Sequence, residues 1–269
     1  IAISDESRQK IKKISKKIED VSFQKEEIRK AMQLAVLKGF KHTKTSNQEM
    51  TPDTIGILVA YLIKSFRLKK DPLVILDPIV GTANLITTVA NQLERNVRLV
   101  GVDADNLKCE LASIMFDMMD YGEEVFFQDT LTFYNVFADV ILADFSYDEV
   151  VENRFFPYEV IMHHHSNLSK DGLFFAVIFN DFFENELSAS FREEMLAYYD
   201  ILGLIKLPDT MFKSIGKSIL ILQNKQNEFD EKQFLLADIP SFEDEDAFKK
   251  ALNKINQWFD NHQKKLGEK

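Results

Sequence analysis

From Leu73 onward the chain alternates between short, mostly apolar runs and helix-length amphipathic segments. The runs are Val74–Leu76, Arg98–Val102, Val125–Phe127, Val140–Leu142, Leu173–Phe179, Ile201–Leu207 and Ser218–Leu222, apolar throughout except at Arg98, Lys206 and Ser218. They lack a polar alternation, so both faces have to be buried, as in a parallel sheet covered by helices. Helices are expected over Asn84–Leu93, Leu107–Met119, Val160–Leu168 and Leu187–Tyr198. No helix-length segment separates the last two runs, so they are expected to pair antiparallel. The fold class that follows is α/β: a seven-stranded, Rossmann-like sheet, mostly parallel, with its last strand antiparallel.

Residues 1–48 read as an N-terminal helical appendage. Ile11, Ile14, Ile18 and Val21 recur at helical spacing among lysines. Ser22 can cap a second helix with Glu26 and Glu27 in its first turn and Ile28, Met32 and Ala35 on its inner face, and Gly39 is expected to end it. Thr51-Pro52 then reads as a helix start, a capping hydroxyl followed by proline, leading into Ile55, Leu58, Val59 and Leu62. Residues 49–226 form the main domain. Residues 227–269 form an acidic tail with one amphipathic helix through Phe248, Leu252, Ile255 and Phe259. The chain begins at Ile1 rather than Met, so an N-terminal segment is expected to be missing.

Charge divides the chain unevenly. Residues 1–48 hold 12 Lys/Arg against 6 Asp/Glu, whereas the whole chain has a net charge of −10. An acidic main domain argues against a broad nucleic-acid groove on its own surface, and the basic N-terminal helices are the candidate contact for DNA or RNA. The single cysteine, Cys109, cannot form an internal disulfide, so a reducing cytoplasm is the expected compartment. No apolar run approaches the ~20 residues of a membrane span, so no membrane partner is expected.

Ligands of open α/β sheets bind at the carboxyl ends of the strands. Here four successive strands end on or just before a carboxylate: Asp77, Asp103, Asp129 and Asp144. Carboxylates sharing one crevice repel unless donors engage them. Ribose hydroxyls, an α-amino group and an adenine amine would do so; a pyrophosphate would not. The loop Asp77-Pro78-Ile79-Val80-Gly81-Thr82-Ala83-Asn84 also lacks the Gly-x-Gly-x-x-Gly of a dinucleotide fold. His163, His164 and His165 are consecutive on a helix, so their rings diverge by ~100° per residue and cannot share a metal. No metal site is expected. Lys206, Lys213 and Lys217 flank the last hairpin near the crevice; contact with a phosphate backbone is one reading, and solvated surface is the favoured one.

Together these motifs resemble the N6-adenine DNA methylase superfamily of class I S-adenosylmethionine (SAM)-dependent methyltransferases, and within it the YtxK-like proteins of Gram-positive bacteria. The family pattern Asp-Pro-x-x-Gly-Thr-Gly-Asn-Leu is matched by Asp77, Pro78, Gly81, Thr82, Asn84 and Leu85. Asn47-Gln48-Glu49-Met50-Thr51-Pro52 resembles the segment that closes over the methionine end of SAM. Gly101-Val102-Asp103, followed by Ala104, resembles the strand whose acid binds the ribose. Gln128-Asp129-Thr130-Leu131 resembles the segment that holds the adenine. Leu207-Pro208, Met211-Phe212 and Lys217 to Leu222 resemble the closing motif.

The resemblance implies SAM as cofactor and methyl transfer to an amino nitrogen, with adenine in nucleic acid as acceptor. Catalysis would fall to Asp144 and Tyr147. In the family's Asn/Asp/Ser-Pro-Pro-Tyr/Phe tetrad, the polar side chain and the following carbonyl accept from the target amine and the aromatic ring stacks on the base. Here the tetrad is Asp144-Phe145-Ser146-Tyr147, with both prolines replaced. The family's second loop glycine is Ala83, which fits without strain if its φ stays negative. Alternatives are a SAM-binding module without catalysis, and a methyltransferase for a small molecule or protein.

Overall fold

A computed structural model describes residues 3–43, 50–134, 136–146, 150–212, 215–225 and 234–267. Two helices lead the chain, α1 (Asp5–Ile18) and α2 (Lys25–Thr43), followed by α3 (Asp53–Ser65). Then come β1 (Leu73–Asp77), α4 (Asn84–Leu93), β2 (Val97–Asp103), α5 (Asn106–Met118), β3 (Val125–Phe127) and β4 (Ala138–Asp144). The chain continues through α6 (Phe156–His163), β5 (Leu168–Phe179), α7 (Ser188–Tyr198), β6 (Tyr199–Lys206) and β7 (Lys217–Asn224), and ends in β8 (Leu235–Asp238) and α8 (Glu245–Gly267).

The sheet order is β3-β2-β1-β4-β5-β7-β6-β8. Strands β1 to β5 run parallel, with Leu76 opposite Val100 and Ile141 opposite Phe174. β7 is antiparallel to both β5 and β6. The chain moves outward from β1 through β2 to β3, then returns to place β4 on the other side of β1. The crevice between the carboxyl ends of β1 and β4 is therefore the switch point at which such sheets bind ligands.

Successive strand residues feed opposite faces. Leu73, Ile75, Val140, Phe175 and Ile221 pack on the face carrying α3, α4 and α8. Leu76, Ile141, Phe174 and Leu222 pack on the face of α6 and α7. Both faces are dry, which is why these strands read as unbroken apolar runs.

Several sequence expectations change. The sheet has eight strands, not seven: Leu235 and Ala237 turn inward and β8 adds parallel to β6. The run is only four residues long and lies beside charge-rich sequence, so it carries almost no strand signal. The helix after β4 starts at Phe156 rather than Val160, with Pro157 in its first turn, and ends at His163 in a 3-10 turn. α2 runs past Gly39 to Thr43. It starts too late for Ser22 to cap; instead Glu27 accepts a bond from the Gln24 amide at 2.9 Å. The apolar stripe of α1 is uncovered, with Ile11, Ile14 and Ile18 all exposed.

Candidate functional site: a crevice of carboxylates at the strand ends

The loop after β1 is shaped by two left-handed residues. Gly81 has φ 53° and Ala83 has φ 63°. The second value does not meet the condition, a negative φ, under which alanine fits here without strain. The turn needs a left-handed residue at the N-cap of α4, and alanine adopts it at a cost of about 1 kcal/mol. The Ala83 methyl is completely buried in the core and does not line the crevice.

A cleft of about 350 Å³ opens at the strand ends, lined by Pro78, Ile79, Gly81, Asp103, Ala104, Asp105, Lys108, Asp129, Thr130, Asp144, Phe145, Ser146 and Phe156. A narrow extension reaches back along the loop, lined by Met50, Thr51, Asp77, Ile79, Val80, Gly81, Thr82, Asn84, Leu85 and Asp144. Most residues singled out from the sequence thus surround two adjoining hollows that share Ile79, Gly81 and Asp144. Pro52 does not line it, being the exposed N-cap of α3. Tyr147 lies outside the described residues, as do Asn47, Gln48, Glu49 and Lys213.

Each carboxylate is held differently. Asp77 is buried, and its Oδ1 accepts from the Ile79 amide at 3.2 Å. Burial, reinforced by the charges of Asp103 and Asp144, pushes its carboxyl well above the usual range. Asp103 accepts from Gly81 N–H at 2.9 Å on Oδ2 and from Asp105 N–H at 2.9 Å on Oδ1, which locks the β1 and β2 loops together. Asp105 caps α5 through the amides of Leu107 and Lys108. Asp129 accepts from the Leu131 amide at 3.0 Å and starts a short 3-10 turn.

Thr130 is buried against His164, with Oγ1 2.7 Å from Nε2. Asn167 gives its amide N–H₂ to the Val136 carbonyl, so its Oδ1 accepts from His164 Nδ1 at 3.0 Å. This leaves Nε2 as the acceptor for the threonine hydroxyl. Burial, with the neighbouring His163, lowers the His164 imidazole to about 3. The other two histidines also pack: His163 bonds the Phe133 carbonyl and His165 meets Asn224. Among the described residues no group of three or more His, Cys, Asp or Glu converges as a metal site.

Asp144 belongs to both the cleft and its extension. Its Oδ2 accepts from the Thr51 hydroxyl at 2.7 Å and its Oδ1 from Lys217 Nζ at 2.6 Å. Each partner departs from one sequence expectation, although Thr51 does line the extension. Thr51 does not cap α3, whose N-cap is Pro52. Lys217 is buried rather than solvated, and also donates to the Phe145 carbonyl at 2.9 Å. Asn84 is similarly redirected: it accepts from the buried Arg29 at 2.7 Å and donates to the Thr51 carbonyl at 2.7 Å. It therefore ties α2 and the Thr51 segment to the loop. Sequence reasoning missed Ile79, Asp105, Lys108 and Phe156 as lining residues. Asp105 and Lys108 follow closely on Asp103 and were findable; Phe156 is brought in only by tertiary packing.

The set of acceptors is selective. Four carboxylates line the cleft and a fifth the extension, against one lysine, so the crevice suits a ligand with positive charge, hydroxyls and amines. That is the chemistry of SAM, with its sulfonium, α-ammonium, ribose and adenine. The fold and crevice together define a class I SAM-dependent methyltransferase.

Comparison with known proteins gives the family. Residues 35–268 match the N-6 DNA Methylase model and residues 1–40 match the YtxK N-terminal helical domain. The chain belongs to the N-6 DNA methylase family. It is 32% identical over 275 residues to the uncharacterized protein YtxK of Bacillus subtilis, covering 95% of this chain and 84% of that protein. It is 33% identical to a Listeria monocytogenes protein provisionally assigned as a class I SAM-dependent methyltransferase. That crystal structure superposes with a TM-score of 0.82 over 96% of this chain and 86% of the other. A modification subunit of a provisionally assigned type I restriction enzyme from Vibrio vulnificus shares the fold, with a TM-score of 0.62 at 16% identity, covering 93% of this chain and 61% of that one.

Proposed function

We propose that this chain transfers the methyl group of SAM to an amino nitrogen, with adenine in nucleic acid as the acceptor. The observation that carries the reading is at the end of β4. Asp144 Oδ1 and the Phe145 carbonyl converge on one nitrogen, and both residues line the cleft. Two convergent acceptors orient an amine with its lone pair directed away from them, which is what an in-line methyl transfer requires.

Asp103 would hold the ribose, Asp129 the adenine amine, and Asp77 with the Gly81 loop the methionine end. SAM supplies an electrophilic methyl on a sulfonium. The chain's own part is orientation: Thr51 fixes Asp144, and Asp144 with Phe145 fixes the amine. The basic α1 and α2 would provide the nucleic-acid contact that the acidic body does not. No helix among the described residues is long and apolar enough to cross a membrane; with the lone cysteine free, a cytoplasmic location is part of the proposal.

A second reading is a SAM-binding module without turnover, favoured by Lys217 bonding both acceptors. Labelled-methyl transfer from SAM to DNA, RNA and cell extract separates the two. Transfer to adenine-containing nucleic acid supports the first, and tight SAM binding with no transfer to any substrate supports the second. Calorimetry tests what both share: the SAM reading fails if no binding is found that Asp103→Ala weakens.

A further inference from the structure

Lys217 stands at the amino end of β7 and reaches past β5 to the end of β4. Its Nζ donates to Asp144 Oδ1 at 2.6 Å and to the Phe145 carbonyl at 2.9 Å, and lies 4.7 Å from the centre of the Phe179 ring. The side chain is about one-tenth exposed, as is that of Asp144. Thr51 holds the second carboxylate oxygen at 2.7 Å, so the acceptor pair is fixed from behind. The arrangement is a complete binding site for one nitrogen: an anion, a neutral carbonyl and an aromatic face.

The sheet has little structural need of it. β4 and β7 are each already laddered to β5 along their lengths. Burying an ammonium carries a desolvation penalty that its ion pair barely offsets, so such a pair contributes little net stability. Both acceptors also belong to residues that line the cleft.

We propose that Lys217 is a displaceable occupant of the acceptor site: its ammonium sits in the seat of the amine to be methylated, and an external amino group enters by taking over its two hydrogen bonds. The proposal rests on the methyl-transfer reading above. It also names a specificity. A group that replaces both bonds must bring two N–H donors on one nitrogen, as a primary amine or an exocyclic amino group does. A hydroxyl or thiol, with a single hydrogen, cannot. Displacement exchanges one pair of bonds for another, and the released lysine regains its hydration in water.

The test uses the full chain. Lys217→Ala leaves a slot for a short alkylammonium ion. Propylammonium should raise its thermal midpoint saturably, whereas tetramethylammonium and propanol should not, and neither the wild type nor Asp144→Ala/Lys217→Ala should respond. In the wild type bound to S-adenosylhomocysteine, acylation read by mass spectrometry should find Lys217 slower than surface lysines such as Lys249. Binding of an adenine-bearing oligonucleotide should speed Lys217 labelling by about tenfold. A Lys217→Ala protein blind to propylammonium overturns the proposal, as does bound oligonucleotide with unchanged labelling. Methyl transfer from SAM to Lys217 itself also overturns it, since the lysine would then be the acceptor. If no oligonucleotide binds, the nucleic-acid reading fails and the propylammonium result still decides the seat. The labelling arm needs no variant, so a Lys217→Ala chain that does not fold leaves the proposal open to refutation.

Discussion

Arg29 and Asp53 meet through two parallel hydrogen bonds, Nη1 to Oδ1 at 3.0 Å and Nη2 to Oδ2 at 2.8 Å, with the guanidinium wholly buried. Glu26 takes the remaining edge, and Asn84 accepts the fifth bond. A residue of the N-terminal helices is thereby joined to the first turn of α3 and, through Asn84, to the start of α4 after the Gly81 loop.

Removing one partner of a buried pair leaves the other charge uncompensated, so Arg29→Met should cost roughly 3–5 kcal/mol of unfolding free energy. Urea unfolding measures it. Arg29→Lys should recover only part, because an ammonium cannot reproduce the bidentate fork. Acid adds a second signature. Hydrogen bonding to Arg29 holds Glu26 below its ordinary 4.5. Burial works to raise Asp53, but bonds from Arg29, Asn84 and Gln33 outweigh it and leave it below 3.8. Both carboxylates are lowered, so their stabilisation is full above their ordinary values and is lost as pH falls through the lowered ones. Arg29→Met should flatten stability against pH below about 4.5. A wild-type-like slope there would mean that the pairs contribute nothing.

The fold was legible wherever burial was two-sided. All seven expected strands were found; β1, β4, β5 and β7 are dry on both faces and have no polar alternation to confuse them, whereas β3 was read from its apolar residues although Phe126 and Phe127 are exposed. β8 was not legible, since half of its four residues face water. At the site, the strand-end aspartates and the Gly81 loop were readable because their roles are local, set by where the strand stops. The partners of Arg29, Thr51 and Lys217 were not. Each of these three looks like an ordinary helix, cap or surface residue, and acquires its partner only when segments 24 to 93 residues apart are brought together.

Ala83 gives a prediction of opposite effects from two small changes. Glycine at φ 63° relieves about 1 kcal/mol of backbone strain but forfeits the burial of one methyl, about 0.8 kcal/mol. Ala83→Gly should therefore melt close to the wild type. Ala83→Val places a β-branched side chain in a left-handed position inside a filled core, and should lose about 2–4 kcal/mol. A glycine variant destabilised as much as the valine variant would contradict the left-handed assignment.

His164 makes stability fall toward acid. Its folded-state value of about 3 lies below the ordinary 6.5, so the unfolded chain binds the extra proton first. The stabilisation is full above 6.5 and declines as pH drops from there toward 3, by roughly 1 kcal/mol per pH unit. His164→Gln keeps a polar side chain without a titrating ring and should remove that slope in denaturant midpoints between pH 4 and 6.5. Thr130→Val should weaken the fold by about 1–3 kcal/mol by stranding Nε2, while leaving the slope in place. Equal slopes for His164→Gln and wild type would show that the imidazole is not held neutral.

Asp77 sets stability against binding. Its carboxylate is buried beside two others, and among the described residues its hydrogen bond is from the Ile79 amide. Its value is raised by burial first and by Asp103 and Asp144 next, so the folded chain favours the protonated form and loses stability as pH rises through that value. Asp77→Asn keeps the acceptor for Ile79 and removes the charge. The free protein should gain about 0.5–2 kcal/mol at neutral pH and lose most of the decline that sets in as pH rises above the ordinary carboxylate value of 3.8. The carboxylate would be favourable only once a cation faces it, and the α-ammonium of SAM is the candidate. Losing that charge-assisted contact should weaken SAM binding about tenfold to a hundredfold. Melting without ligand and calorimetry with SAM measure the two effects separately. A variant that gains stability and binds SAM unchanged would place Asp77 outside the binding site, and one that loses stability would mean that the buried carboxylate is supported by contacts beyond the Ile79 amide.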